Sequence, residues 1–333
     1  MEKHKLIQIQ IMFQPRIAFF VMALMAAPLV NAQYTDAINS NRPGESMSPF
    51  SIGKTVIQAE AGVQYLNEDH NVLGYKASGF ALDTDLRYGV FFEQLELIMN
   101  LQYRNDKYSS PAVDKNRSGL NQITIGGKYL IYDPDKNYEK KPNLYSWKAN
   151  HKFSWHDFVP SVALYGGFNL NLFDSPFTNK PEKFTPKAMV LTQNEFGRWV
   201  FVTNIFLDDL ISDYQSYGYV LTLTRGFNDR WSGFVENQGF KSDYYSDGIF
   251  RLGAAYLLKE NFQIDAALGK NIKDTPAIFN VSVGVSWRFD DNYEEVLLRA
   301  PKQDKEEKKS KEEKKKEKEA KKRKDAVEGT ETK

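Results

Sequence analysis

The sequence predicts an all-β fold: an antiparallel transmembrane outer-membrane β-barrel of about twelve strands, followed by a charged C-terminal tail. Three observations predict it. From Thr55 onward, apolar and polar residues alternate with a period of two through one segment after another. The links between these segments alternate between short and long. The composition is also unusual, with 41% hydrophobic residues but 14% aromatic ones, including 18 Tyr and 23 Phe. That mixture is poor in aliphatic core formers and suits a polar-lined barrel with aromatic girdles.

The chain opens on a basic stretch, with Lys3, Lys5 and Arg16, followed by the apolar run Ile17–Val30 and the sequence VNAQ. Small residues at Val30 and Ala32 predict a secretory signal cut after Ala32. The run is too short for the roughly 20 residues of a spanning helix. Residues 1–32 are therefore expected to be a signal peptide, and residues 33–54 an N-terminal periplasmic segment. Residues 55–289 are expected to be the barrel.

Within the barrel region each segment shows one apolar and one polar face. In VIQAEAGVQYL, Ile57, Ala59, Ala61, Val63 and Tyr65 oppose Gln58, Glu60, Gly62 and Gln64. In FALDTDLRYGV, Phe80, Leu82, Leu86 and Tyr88 oppose Asp83, Asp85 and Arg87. In QLELIMNLQYR, Leu95, Leu97, Met99 and Leu101 oppose Glu96, Asn100, Gln102 and Arg104. NQITIGGKYLIY sets Ile123, Ile125, Tyr129 and Ile131 against Gln122, Thr124 and Lys128. Further strands are expected over 161–172, 186–195, 198–207, 217–225, 230–238, 249–258, 262–269 and 279–289. The weakest is 186–195, because Lys187 and Gln193 share a parity with Met189 and Leu191. The last strand alternates through Val281, Val283, Val285, Trp287 and Phe289, and its Trp-Arg-Phe ending looks like the closing strand of an outer-membrane barrel.

Short links are expected at FFE near Phe91, EFGR at Glu195, GFND at Gly226 and KEN at Lys259. Longer polar links are expected over 67–78, 105–118, 174–185, 208–216, 241–247 and 271–276. Outer-membrane barrels have short periplasmic turns and longer outer loops, so a periplasmic N-terminus puts the short links inside. The stretch 133–157 breaks the pattern, being too long for a turn. A soluble sandwich or lipocalin-like barrel would alternate likewise, but about twelve strands exceed the eight of a lipocalin. Aromatics also recur near strand ends, at Tyr65, Tyr88, Tyr103, Tyr129, Trp199, Trp287 and Phe289.

Residues 290–333 carry 15 Lys or Arg and 14 Asp or Glu. Almost nothing there can be buried, so a disordered spacer is expected. A lone helix supported by pairs such as Glu307 with Lys311 is the alternative. Such a tail cannot enter lipid and belongs in the periplasm, below the closing strand.

The charged candidates are Glu60, Asp83, Asp85, Arg87, Glu96, Arg104, Lys128, Glu236, Arg251, Asp265 and Arg288, all on the polar parity of their segments. A charge facing lipid costs up to about 2–4 kcal/mol near the midplane. These side chains are therefore expected to face the lumen, either as a salt-bridged brace or as a polar path that selects solutes.

Other chemistry finds little support. The chain has no Cys, hence no disulfide and no thiol nucleophile. Of its 4 His, His4 lies in the signal, and His70, His151 and His156 lie in links. His151 and His156 are spaced poorly for a shared metal. No nucleophile elbow, phosphate loop or dinucleotide fingerprint is present. No enzyme activity, cofactor or metal is expected. The net charge of +1 gives no reason to expect nucleic acid.

Several stretches resemble one outer-membrane family. LRYGVFFEQLELIMNLQY (Leu86–Tyr103) is similar to its Leu-Arg-Tyr-Gly, short turn, Leu-Glu-Leu pattern, and GLNQITIGGKYLI (Gly119–Ile131) to its Gly-x-Lys-Tyr segment. GFVENQGF (Gly233–Phe240) and LKENFQIDAALGKNIKDTPAIFNVSVGVSWRF (Leu258–Phe289) resemble its closing part, and NRPGESMSPFSIGKTVIQAEAG (Asn41–Gly62) its opening. Asn41 stands where the family often has Asp, and Asn121 where it has a small residue. The family is that of outer-membrane transporters named for a phenol-degradation meta pathway. The resemblance implies passive transport of small, hydrophobic or aromatic molecules. The expected partners are outer-membrane lipid, the barrel-assembly machinery, a small-molecule solute, and peptidoglycan or a periplasmic protein through the tail. The alternative is a non-conducting structural or assembly barrel whose tail recruits those partners.

Overall fold

In a computed structural model the chain forms a closed barrel of twelve antiparallel strands, each paired with its sequence neighbours and the first with the last. The structure describes residues 38–136, 155–178 and 182–290. The signal segment, His151 and nearly all of the tail lie outside them, as does most of the 133–157 link.

The strands are β1 (Ile57–His70), β2 (Tyr75–Gly89), β3 (Leu95–Ser109), β4 (Asp114–Tyr132), β5 (Ser161–Leu170) and β6 (Phe184–Phe196). Then come β7 (Trp199–Asp208), β8 (Ser216–Gly226), β9 (Trp231–Ser242), β10 (Ser246–Lys259), β11 (Phe262–Asn271) and β12 (Ala277–Phe289). β1 and β12 close the wall in unbroken register from Ile57↔Phe289 to Asp69↔Ala277. No edge is left to aggregate or to starve of hydrogen bonds in lipid.

The apolar parity points outward. Val63, Leu82, Leu97, Ile125, Ile205, Val235, Leu252 and Val283 are all exposed on the outer face. In water such a surface would be a large apolar patch; in acyl chains it is the solvent-facing side. Aromatics gather at the short-turn end, where Trp287 packs 4.3 Å from Phe289 and Trp231 packs 4.7 Å from Tyr256. The Arg225 guanidinium lies 4.9 Å from the Trp199 ring centroid. Rings with a polar edge favour that interfacial depth.

Three links expected to be long are tight turns instead, among them 241–247, which shrinks to 243–245 between β9 and β10. β1 to β4 run on past the lipid, so 67–78 shrinks to a turn at 71–74 and 105–118 to one at 110–113. β4 has 19 residues, against the roughly 9–11 that span a bilayer. The polar residues that read as loop still pair across strands, as in the Lys76–Asp69 ion pair at 2.7 Å. Backbone pairing continues in water when cross-strand side chains support it.

Inside the barrel lies a strap, residues 38–56, with no regular secondary structure. The sequence alone places 33–54 on the periplasmic side; in the structure, residues 38–54 run within the wall. The strap starts at the short-turn end, where the Ile38 amide donates to the Glu260 carbonyl at 2.7 Å. It circles the inner face and returns beside Gly89, where the Thr55 amide donates to the Gly89 carbonyl at 2.9 Å.

Candidate functional site: the strapped lumen

A strap without secondary structure has backbone N–H and C=O groups that must find partners elsewhere. The wall supplies them, largely through the charged side chains singled out above. Glu60 on β1 accepts from the Asn41 amide at 3.1 Å, the Arg42 amide at 3.2 Å and the Ser40 hydroxyl at 2.8 Å. Glu236 on β9 accepts from the Glu45 amide at 3.1 Å and the Ser46 amide at 3.3 Å. Glu96 on β3 accepts from the Ile52 amide at 3.1 Å. Cationic groups take the carbonyls. Lys128 donates to the Ser48 and Phe50 carbonyls at 2.9 and 2.8 Å, and Arg87 to that of Asn39 at 2.7 Å. Asn204 on β7 holds Met47 by both backbone groups, at 2.6 and 2.9 Å.

The same groups neutralise one another. Arg87 bridges Glu60 at 2.9 Å and Glu96 at 2.6 Å, with all three side chains fully buried. Lys128 stands 3.4 Å from Glu96. Arg251 pairs with Glu236 at 3.0 Å and approaches Glu45 of the strap at 3.7 Å. Asp265 on β11 receives Arg42 of the strap at 3.1 Å. Charges taken out of water are tolerated when paired and fully hydrogen-bonded.

Arg42 can reach Asp265 because the wall is bare beneath it. Gly62 on β1 and Gly284 on β12 are register partners, and Gly284 faces Asp265 on β11. A Cβ on either glycine would collide with the Arg42 guanidinium.

The remaining candidates fall elsewhere. Arg104 joins Asp106, Arg117 and Glu68 near the loop end, where Arg117 donates to Asp106 at 2.7 Å. Arg288 sits at the short-turn end, 3.1 Å from Asp290. Asp83 and Asp85 stay on the wall of β2 and make no hydrogen bond or ion pair to the strap among the described residues. They bond to the Gln102 and Asn100 amides, the latter at 2.6 Å. Of the histidines, His70 accepts from the Leu73 amide at 3.2 Å, and His156 lies 3.0 Å from Asp135. In the loops, burial and then a bond to Asp247 push the Tyr245 phenol well above its ordinary value.

The lumen has an apolar side that parity reasoning missed. Ile98, Tyr165, Met189, Leu191, Phe206 and Val220 form one buried cluster on the inner wall, and Met47 and Phe50 of the strap pack against it. The signal was present in β6. Met189 and Leu191 share a parity with Lys187 and Gln193 because all four point inward.

The strap divides the lumen into two cavities. One of about 280 Å³ lies toward the loops, bounded by Asp83, Asp85, Tyr165, Met189, Phe206 and Arg251 among others. The other, of about 240 Å³, lies toward the short turns, beside Gln193, Val202, Thr224 and Gln263. Asn41, Arg42, Pro43 and Gly44 border both and form the partition.

Residues 40–289 match the protein family described as "Putative MetA-pathway of phenol degradation". No curated protein matches the sequence. Among solved structures, an outer-membrane channel from Pseudomonas putida F1 is similar with a TM-score of 0.50 at 12% identity, covering 76% of this chain and 100% of that one. The CymD monoaromatic hydrocarbon channel gives 0.38 at 9% identity, covering 79% and 98%. The translocator domain of the autotransporter NalP from Neisseria meningitidis gives 0.42 at 11%, covering 71% and 89%. At such identities the likeness to the first is one of fold.

Proposed function

Since this chain belongs to the family described as "Putative MetA-pathway of phenol degradation", we propose that its outer-membrane barrel passes small molecules by diffusion, hydrophobic and aromatic ones among them, with the strap as the gate. One observation carries the reading. Two cavities stand in line along the lumen, and what separates them is the turn 41–44 rather than the wall. A solute entering from the loop side meets polar groups on one wall and apolar groups on the other. It then stops at Arg42. Moving the strap joins the cavities without breaking a single interstrand bond. By the rule that short turns are periplasmic, the lower cavity opens to the periplasm, and the tail after Phe289 lies on that side.

The chain has no Cys, so an introduced pair is unique. The Ser40 and Ser286 hydroxyls are 2.7 Å apart, which makes Ser40→Cys with Ser286→Cys a lock between strap and β12. In proteoliposomes, swelling with arabinose or phenol should be slow when the pair is oxidised and recover on reduction. Swelling that ignores the lock would remove the strap as gate. No swelling with any solute, locked or reduced, would favour the non-conducting barrel instead.

A further inference from the structure

The carboxylates that border the loop-side cavity are Glu45, Asp83, Asp85 and Asp208. Asp208 has Lys187 at 3.4 Å, and Glu45 has Arg251 at 3.7 Å. Asp83 and Asp85 have no cation within ion-pair distance among the described residues. Two residues apart on β2, they point to the same side. Their bonds are to the neutral amides of Gln102 and Asn100 on β3. An ionised carboxylate offers about four acceptor sites, so most of their capacity stays open toward the cavity. Glu60, Glu96, Asp106, Glu236 and Asp265 are each matched to an arginine, and Asp247, on β10, accepts from the Tyr245 hydroxyl and the Asn271 amide.

A second, independent group points the same way. Tyr165 is only 5% exposed, yet its hydroxyl makes no hydrogen bond to any described residue. It borders the cavity, lying flat over Gly126 and Gly167, where a Cβ would strike the end of its ring. The hydroxyl is left to find its partner in the cavity that Tyr165 borders. Around the wall from β2, Met189, Phe206 and Val220 on β6, β7 and β8 present an apolar surface with Ile98 beside them.

We propose that this cavity is a binding site for a small amine: a single aromatic or apolar body against Met189, Phe206 and Val220, and an ammonium head between Asp83, Asp85 and the Tyr165 hydroxyl. An ammonium carries three donors and no acceptor, and Asp83, Asp85 and the Tyr165 hydroxyl all border this cavity. A cavity of about 280 Å³ sits at the lower edge of the range for small-molecule sites, which favours a one-ring solute. Arg42, Lys187 and Arg251 also border the cavity, but each is already held by a carboxylate. A carboxylate-bearing solute would therefore meet repulsion at β2 without a free cation to offset it.

This inference deepens the diffusion reading and rests on it for its biological meaning, but binding can be measured without flux. Full-length protein in detergent is titrated calorimetrically with 2-phenylethylamine, 2-phenylethanol and phenylacetate, which share a body and differ in head group. The amine should bind at least tenfold more tightly than the alcohol, and phenylacetate should give no heat. Asp83→Asn with Asp85→Asn should abolish the preference for the amine while the barrel keeps its heat-modifiable gel mobility. Tyr165→Phe should weaken amine binding severalfold. Equal binding of the three probes, or an amine preference that survives the double substitution, would overturn the site. Proteoliposome swelling separates the two readings. Amine-selective binding without any flux leaves the site standing and removes the diffusion path. Flux together with binding that is indifferent to head-group charge does the reverse.

Discussion

Arg87 shows what a single charge does in this wall. Its guanidinium is fully buried, bonds to Glu60 and Glu96 on either side, and reaches the strap at the Asn39 carbonyl. Removing it leaves two carboxylates close together in a poorly hydrated lumen. Breaking a buried pair by deleting one partner typically costs about 3–5 kcal/mol, because the remaining charge is uncompensated. Arg87→Ala should therefore lower the temperature at which the barrel loses its compact gel mobility. Glu96 keeps Lys128 at 3.4 Å, so Glu60 is the acid left without its cation, and adding Glu60→Gln should recover part of the loss. A Glu60→Gln replacement that deepens the defect would show that packing, not charge, is what Arg87 supplies. Lys128 is the milder case: its ammonium also serves two strap carbonyls, so its loss falls on the strap as much as on the wall.

At the scale of elements, strap and wall are built for each other, and the glycine notch offers a way to part them without altering the strap. Gly62→Ala places a methyl where the Arg42 guanidinium lies. Alanine is at least as good as glycine within a strand, so β1 itself should not suffer. The expected result is a displaced strap and severalfold faster solute-driven swelling. Arg42→Ala should act in the same direction, and the double variant should add little, because both break one contact. Unchanged swelling in Gly62→Ala would mean that Arg42 does not hold the gate. The strands were legible from period-two alternation, because lipid and lumen impose opposite polarity on successive residues. The strap was not. Its residues have no period, and Pro43, Gly44, Ser46 and Ser48 read as an ordinary linker. Only the surplus of acids and bases on the inner parity hinted that something polar had to be held there. Eleven charged positions could be assigned a face from parity, but not a partner, since pairing depends on register across strands far apart in sequence. β6 read weakly for a related reason: the inner wall there is half apolar, so its alternation is blurred. The extension of β1 to β4 beyond lipid was hidden because polar strands and polar loops share a composition.

For the whole molecule, closure decides which parts can be spared. Every strand finds both neighbours between Ile57 and Phe289, and the last register pair, Ile57↔Phe289, completes the circle at the short-turn end. The family match ends at the same residue, 289. Beyond it, Asp290 still touches the wall through Arg288, and residues 291–333 lie outside the described structure, while the twelve described strands close the barrel by themselves. Their 44-residue stretch with Asp290 holds nearly equal numbers of acids and bases, so it adds little net field to a barrel mouth, and screening confines what remains to about 8–10 Å. Ending the chain before Pro301 should therefore leave both the heat-modifiable transition and the swelling rate as they are. What it should remove is any cosedimentation of the protein with isolated peptidoglycan sacculi, if the tail is the arm that reaches the cell wall. The two readouts fail separately. A lower transition temperature would show that the tail braces the barrel, and cosedimentation that persists would place the wall contact on the short turns instead.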